Sequence, residues 1–226
     1  MKRLIVALDT PDQTEAVRWA DAVSHHVGAL KLGLEFFLAH GRSGYEAIKG
    51  APIFLDLKLH DIPNTVAGAV RAVLDLQPKM LTIHAGGGPA MVAAAKAAAS
   101  SVPNPPLILA VTLLTSLDAT SVKAIGIDRS STDQVRLLAA MAVQAGADGL
   151  VCSPHEVVPL REMFGPSVKL IVPGIRPSGS PIGDQARVMT PREAITAGAD
   201  WIVVGRPITA SRDPAAAAAQ IAVEIA

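Results

Sequence analysis

An α/β chain closed as a (β/α)8 TIM barrel, a single domain over residues 1–226, is the architecture this sequence predicts, and three observations predict it. Short apolar runs alternate with longer helix-like stretches along the chain. Eight such runs can be counted, the number that closes a barrel of parallel strands with helices outside. The first run leads into Asp9-Thr10-Pro11-Asp12 rather than a glycine-rich dinucleotide loop, which argues against an open doubly wound sheet.

Strands are expected at residues 4–8, 29–33, 53–59, 80–84, 107–114, 149–153, 169–173 and 201–204, all short and mainly aliphatic. The first of them follows Met1-Lys2-Arg3 and stops at Asp9, too soon for the apolar part of a secretory leader. Residues 66–76 carry apolar side chains at helical spacing. Residues 91–100 and 214–226 are rich in alanine, the best helix former. Segments 139–147 and 194–197 are read as helices ending at Gly146 and Gly198, since glycine takes the left-handed C-cap conformation without a Cβ clash. Residues 176–185 hold prolines, glycines and serines without periodicity and are read as a long loop, a candidate lid.

Composition narrows the function. Half of the residues are hydrophobic and 18% are charged, so the chain can bury a core and is not disordered. Lysine plus arginine equals aspartate plus glutamate, 20 against 20, and no global positive field exists to hold nucleic acid or an anionic membrane. Any bound anion must be held by a few placed groups. Aromatic residues make up 3%, too few for base-stacking platforms. The longest apolar run, near residues 107–114, is too short to span a bilayer. The lone Cys152 excludes an internal disulfide and a multi-cysteine zinc site, and it reads as core. A cytoplasmic enzyme is expected.

Active sites of such barrels lie at the C-terminal strand ends. The third run and its continuation read Ile53-Phe54-Leu55-Asp56-Leu57-Lys58-Leu59-His60-Asp61-Ile62-Pro63-Asn64-Thr65. Strict alternation puts Asp56, Lys58 and His60 on one face and Leu55, Leu57 and Leu59 on the other. The leucine face then packs on the outer helices and the charged face points inward to the mouth. Opposed charges there are costly unless paired, and the bland reading is an ion pair plugging the barrel. Asp9 and Lys31, from the first two runs, bring further charge to the same mouth, and coupled ionisations of this kind mark functional sites.

The last two runs end in Val172-Pro173-Gly174-Ile175-Arg176 and Val203-Val204-Gly205-Arg206-Pro207. Loops after strands seven and eight commonly bind phosphate: glycines let backbone N–H groups approach, and arginine offers a two-pronged donor. Thr112, Thr115 and Ser116 offer hydroxyls to a neutral ligand group. His84 reads as mouth-lining or core. His60, His84, Asp56 and Asp9 leave a metal site open, although the ammonium groups of Lys31 and Lys58 already stand in a cation's place. No role is assigned to His25, His26, His40 or His155.

The stretch Asp56-Leu57-Lys58-Leu59-His60-Asp61-Ile62-Pro63-Asn64-Thr65 closely resembles the orotidine 5′-phosphate decarboxylase family of the bacterial type, D-x-K-x-x-D followed by I-P-x-T. The resemblance extends over essentially the whole chain. It implies decarboxylation of orotidine 5′-monophosphate to uridine 5′-monophosphate in de novo pyrimidine biosynthesis, with neither metal nor organic cofactor. Carried over by resemblance, Lys58 stabilises and protonates the C6 carbanion, Asp56 and Asp61 keep it charged and oriented, and Lys31 completes an alternating Lys-Asp array. Asp9 would meet the ribose, Thr115 the pyrimidine, and Arg176, Gln185, Gly205 and Arg206 the phosphate. The family's homodimer implies that Asp61 and Thr65 reach the neighbouring subunit's site. Two other classes stay open: a metal-dependent phosphosugar enzyme on a related barrel, and a barrel that holds phosphorylated ligands without turnover.

Overall fold

A computed structural model describes residues 2–177 and 189–226. Eight parallel strands close into a barrel in sequence order: β1 (Leu4–Ala7), β2 (Ala29–Gly33), β3 (Ile53–Leu59), β4 (Met80–His84), β5 (Leu107–Val111), β6 (Gly149–Val151), β7 (Lys169–Val172) and β8 (Trp201–Val204). The ring shuts where Leu4, Ile5 and Val6 pair with Ile202, Val203 and Val204. Strands β1, β5, β6 and β7 are shorter than expected. For β5 and β6 the reason is visible in the register: pairing stops at Val111 and Val151, and the chain beyond them turns into the loops of the mouth.

The described helices are α1 (Gln13–Val23), α2 (Leu34–Ala47, broken at Gly41), α3 (Pro63–Arg71), α4 (Gly88–Ala99), α5 (Ala119–Ala124), α6 (Ser131–Gln144), α7 (Val157–Phe164), α8 (Pro191–Ala197), α9 (Arg206–Thr209) and α10 (Pro214–Glu224). Side chains of Asp12, Asp118, Ser130, Thr190 and Asp213 accept the N–H three residues on and so start α1, α5, α6, α8 and α10. The helix expected over 66–76 divides into α3 and a 3-10 turn, Leu74–Leu76, stopped by Gln77 in the left-handed conformation.

Alternation along the strands makes two apolar layers. Ile5, Ala7, Phe54, Met80, Ile171 and Trp201 fill the barrel. Leu4, Val6, Leu30, Leu55, Leu81 and Val204 face outward beneath the helices. Cys152 belongs to this outer layer, as expected.

A four-residue motif recurs at the bottom rim: Ala145-Gly146-Ala147-Asp148 before β6 and Ala197-Gly198-Ala199-Asp200 before β8. Both glycines are left-handed, at φ 100° and 114°. Asp148 Oδ2 accepts from Ile108 N–H at 2.8 Å and Asp200 Oδ2 from Leu170 N–H at 2.9 Å, so each carboxylate holds the strand before its own. Lys96 Nζ reaches Asp148 at 2.6 Å and Arg161 Nη2 reaches Asp200 at 2.7 Å, tying in α4 and α7.

Candidate active site

The mouth opens above the inner layer. Lys31 points into the barrel from β2, in register with Ala7 and Phe54, and Asp56 stands opposite Gly33 one pleat higher on β3. Both Lys31 and Asp56 are 8% exposed. Lys31 Nζ donates to Asp9 Oδ1 at 2.7 Å and lies 3.6 Å from Asp56 Oδ2. Lys58 Nζ donates to both Asp56 oxygens at 2.9 Å. The result is one chain of opposite charges, Asp9–Lys31–Asp56–Lys58, buried in its middle and open at its ends. Gly33 makes the crossing possible: a Cβ there would lie 2.8 Å from Asp9 Oδ1 and 3.2 Å from Lys31 Nζ.

Strict alternation fails on β3. Between the pairs Leu55↔Leu81 and Leu59↔Ile83, β3 advances four residues while β4 advances two, which is a bulge. Lys58 sits in it at φ 48°, a conformation that costs a side-chain-bearing residue of order 1–3 kcal/mol. Its N–H donates to Thr82 Oγ1 at 2.8 Å, and that hydroxyl donates to Asp56 Oδ1 at 2.9 Å. Leu57 and Leu59 still pack against the outer layer, and Asp56 and Lys58 still face the mouth. His60 does not join them: it is exposed beyond the bulge, its ring centroid 5.3 Å from that of His84.

Burial by itself would raise the pKa of Asp56. The charges of Lys31 and Lys58 and the hydrogen bonds from Lys58 and Thr82 outweigh it, and the carboxyl ends below its ordinary value. His84 moves down from its ordinary value, chiefly by burial and then by His60 and Lys58, and so stays neutral at pH 7.

A cavity of about 410 Å³ is lined by Asp9, Lys31, Asp56, Lys58, Thr115, Arg176, Gly205 and Arg206, with Ala7, Phe54, Val151 and Val203 among its apolar walls. Its volume lies in the range of small-molecule sites. Because β8 pairs with β1, the two arginine loops and the charge chain share this one mouth. Arg176 N–H donates to Met189 O at 3.0 Å, beside the parallel bridge between Ile175 and Met189. Thr115 lines the cavity and its exposed neighbour Ser116 does not.

Two expected site residues are not brought in. Asp61 and Thr65 are exposed and outside the cavity lining, and Asp61 Oδ1 accepts the N–H of Ile62 at 2.7 Å. Gln185 lies outside the described residues. The open metal set does not assemble: no group of three or more His, Cys, Asp or Glu side chains gathers as ligands among the described residues. Asp56 is taken up by two ammonium groups, and His60 stands against His84. Sequence reasoning passed over Thr82 and Gly33. Alternation along Met80–His84 could have found Thr82, because it shares a face with the mouth-side His84; Gly33 gave no comparable signal.

Comparison with known proteins adds an independent line. A family model described as Orotidine 5′-phosphate decarboxylase / HUMPS family matches residues 2–221. The chain is 54% identical over 225 residues to an orotidine 5′-phosphate decarboxylase of Thermobifida fusca, covering 98% of this chain and 95% of that one. It is 50% identical over 229 residues to one of Gluconobacter oxydans, covering 99% and 97%. The crystal structure of orotidine 5′-phosphate decarboxylase from Lactobacillus acidophilus is similar at a TM-score of 0.89 and 36% identity, covering 100% of this chain and 99% of that chain.

Proposed function

The chain belongs to the orotidine 5′-phosphate decarboxylase family, and we propose that it converts orotidine 5′-monophosphate to uridine 5′-monophosphate and CO2 in de novo pyrimidine biosynthesis, without metal or organic cofactor. The observation that carries the reading is the chain Asp9–Lys31–Asp56–Lys58 inside a cavity whose other side carries Arg176 and Arg206.

In this reading Arg176, Gln185, Gly205 and Arg206 hold the phosphate, Asp9 the ribose and Thr115 the pyrimidine. The bond between C6 and the carboxylate breaks, and its electron pair stays on C6 as CO2 leaves. No adjacent carbonyl delocalises that pair well, so stabilisation must be electrostatic. The Lys58 ammonium stands beside the developing charge and then passes its proton to C6, to be recharged from solvent. Asp56, kept ionised by its partners, holds Lys58 charged and aimed. Crowding the substrate carboxylate against Asp56 contributes about 4 kcal/mol at 4 Å and an effective dielectric near 20. That falls well short of the more than roughly 20 kcal/mol that the largest enhancements require. Preplaced stabilisation of the carbanion carries the larger share.

The exposed segment Asp61–Thr65, within which Ile62 is 67% exposed, suits a surface that a second copy covers. The enzyme is read as a homodimer in which Asp61 and Thr65 complete the neighbouring subunit's site. No helix among the described residues is long and apolar enough to cross a membrane, and the cytoplasm is the proposed compartment.

The test is to mix the purified protein with EDTA and orotidine 5′-monophosphate and follow loss of the orotate absorbance. Turnover is expected with EDTA present, and none from Lys58→Ala. Turnover that EDTA abolishes and added divalent metal restores would overturn the cofactor-free reading; turnover by Lys58→Ala would remove Lys58 from its role.

A further inference from the structure

We propose that Thr82 is a positioning residue for this site: its hydroxyl fixes the Asp56 carboxylate and the backbone of Lys58 together, and so aims the Lys58 ammonium at the reacting carbon. The proposal rests on the decarboxylase reading above.

Thr82 is the middle residue of β4 and is wholly buried. It lies between Leu81 and Ile83, the two β4 residues whose pairings bracket the β3 bulge, so it faces the stretch where β3 carries its extra residues. A threonine hydroxyl has one proton to give and two lone pairs. The Lys58 N–H, 2.8 Å away, fills a lone pair. The single proton therefore goes to Asp56 Oδ1, 2.9 Å away, which as a carboxylate can only accept. One side chain thus joins the two ends of the bulge.

Its partners have few alternatives. Asp56 Oδ1 is held by Thr82 and Lys58; Oδ2 is held by Lys58, with Lys31 at 3.6 Å. Without the hydroxyl, Oδ1 keeps only Lys58, the group whose position is in question. Lys58 is also left-handed at φ 48°, and the Thr82 contact is the anchor of its N–H on β4. Loss of that anchor lets the residue relax toward the extended conformation that side-chain-bearing residues favour, which carries Nζ away from its place. The hydroxyl is neutral, so it sets geometry without altering the balance of two Asp and two Lys in the chain.

The charged and titratable groups facing Asp56 are Lys31 from β2, Lys58 from β3 and His84 from β4, with Asp9 beyond Lys31 and His60, just after β3, stacked against His84. Threonine is the one donor to the carboxylate among these contacts that bears no charge, so its removal takes no charge out of the site.

The test compares Thr82→Val, which keeps the shape and removes the hydroxyl, with Thr82→Ser, which keeps the hydroxyl. For Thr82→Val, kcat is expected to fall roughly 10- to 100-fold while KM stays within about threefold, since the contact acts on the chemical step. Thr82→Ser is expected to recover most of that loss. The Asp56 carboxyl, followed by 13C NMR in the unliganded protein, should titrate at higher pH in Thr82→Val than in wild type and close to wild type in Thr82→Ser, because a donor to the charged form holds a carboxyl pKa down. A loss due to weakened folding alone would leave that midpoint in place, and so would overturn the proposal. Thr82→Val with wild-type kcat would overturn it equally. A wild-type protein inert toward orotidine 5′-monophosphate would overturn the functional reading instead, and the carboxyl titration would still decide whether Thr82 holds Asp56.

Discussion

Lys58 combines a left-handed backbone with an ammonium held by both oxygens of one carboxylate, and each feature constrains the other. The same holds one strand away at Gly33, where the absence of a Cβ leaves room for the Asp9–Lys31 contact. Gly33→Ala should therefore displace that pair and lower kcat/KM roughly tenfold or more with the circular dichroism of the fold retained, about the effect of losing one charge-assisted contact; wild-type kinetics would refute the crowding argument. Asp56 also makes a pH prediction. Its folded pKa lies below its unfolded one, so its ionisation contributes stability above the ordinary value of 3.8 and loses it as pH falls through the folded value. The stability gap between wild type and Asp56→Asn, measured by urea unfolding from pH 7 down to about 3, should hold steady above the ordinary value and narrow below it. At this scale the sequence revealed the charged residues, because charge on an apolar strand is conspicuous. It did not reveal Thr82 or Gly33, whose importance lies in what stands opposite them.

The strands and the paired rim motifs show how elements are fixed. Asp148 and Asp200 each hold a backbone N–H of the preceding strand and a cation from a helix. Arg161 adds bonds to the carbonyls of Gly165, Val168 and Gly198. Asp200→Ala would leave that guanidinium half-buried beside an unsatisfied Leu170 N–H, a loss of about 2–4 kcal/mol. For a chain of this size that lowers Tm by roughly 4–16 °C, read by calorimetry, with kcat/KM unchanged at 25 °C. Helices α1, α2, α5, α7 and α9 escaped the sequence reading, although Asp12 and Glu15 in fact begin α1 as a cap and a first-turn acid. The bulge in β3 escaped it too. Period-two reasoning assumes a regular ladder, and the extra residues of β3 are defined only against β4.

Over the whole molecule, barrel closure puts β8 beside β1 and so joins two halves of a site that are far apart in sequence. If Arg206 grips a phosphate that takes no part in the chemistry, Arg206→Ala should lose roughly 100- to 1,000-fold in kcat/KM for the nucleotide while leaving the phosphate-free nucleoside nearly unaffected; equal losses on both would end that role. If Asp61 serves a neighbouring site, Asp61→Ala and Lys58→Ala proteins, each inactive alone, should regain activity when mixed and allowed to exchange subunits, and sedimentation should give a dimer. No recovery from exchanged dimers would place Asp61 outside the partner's site. The sequence by itself determined the (β/α)8 class and the family, because apolar periodicity and the D-x-K-x-x-D run are local properties of the chain. Only the tertiary structure decided that Asp9, Lys31, Asp56 and Lys58 form one connected chain, that His60 stands apart from it, and that Thr82 braces it. Those facts depend on the register between strands and on where a bulge falls, which the packing of one strand against the next sets and which no segment carries alone.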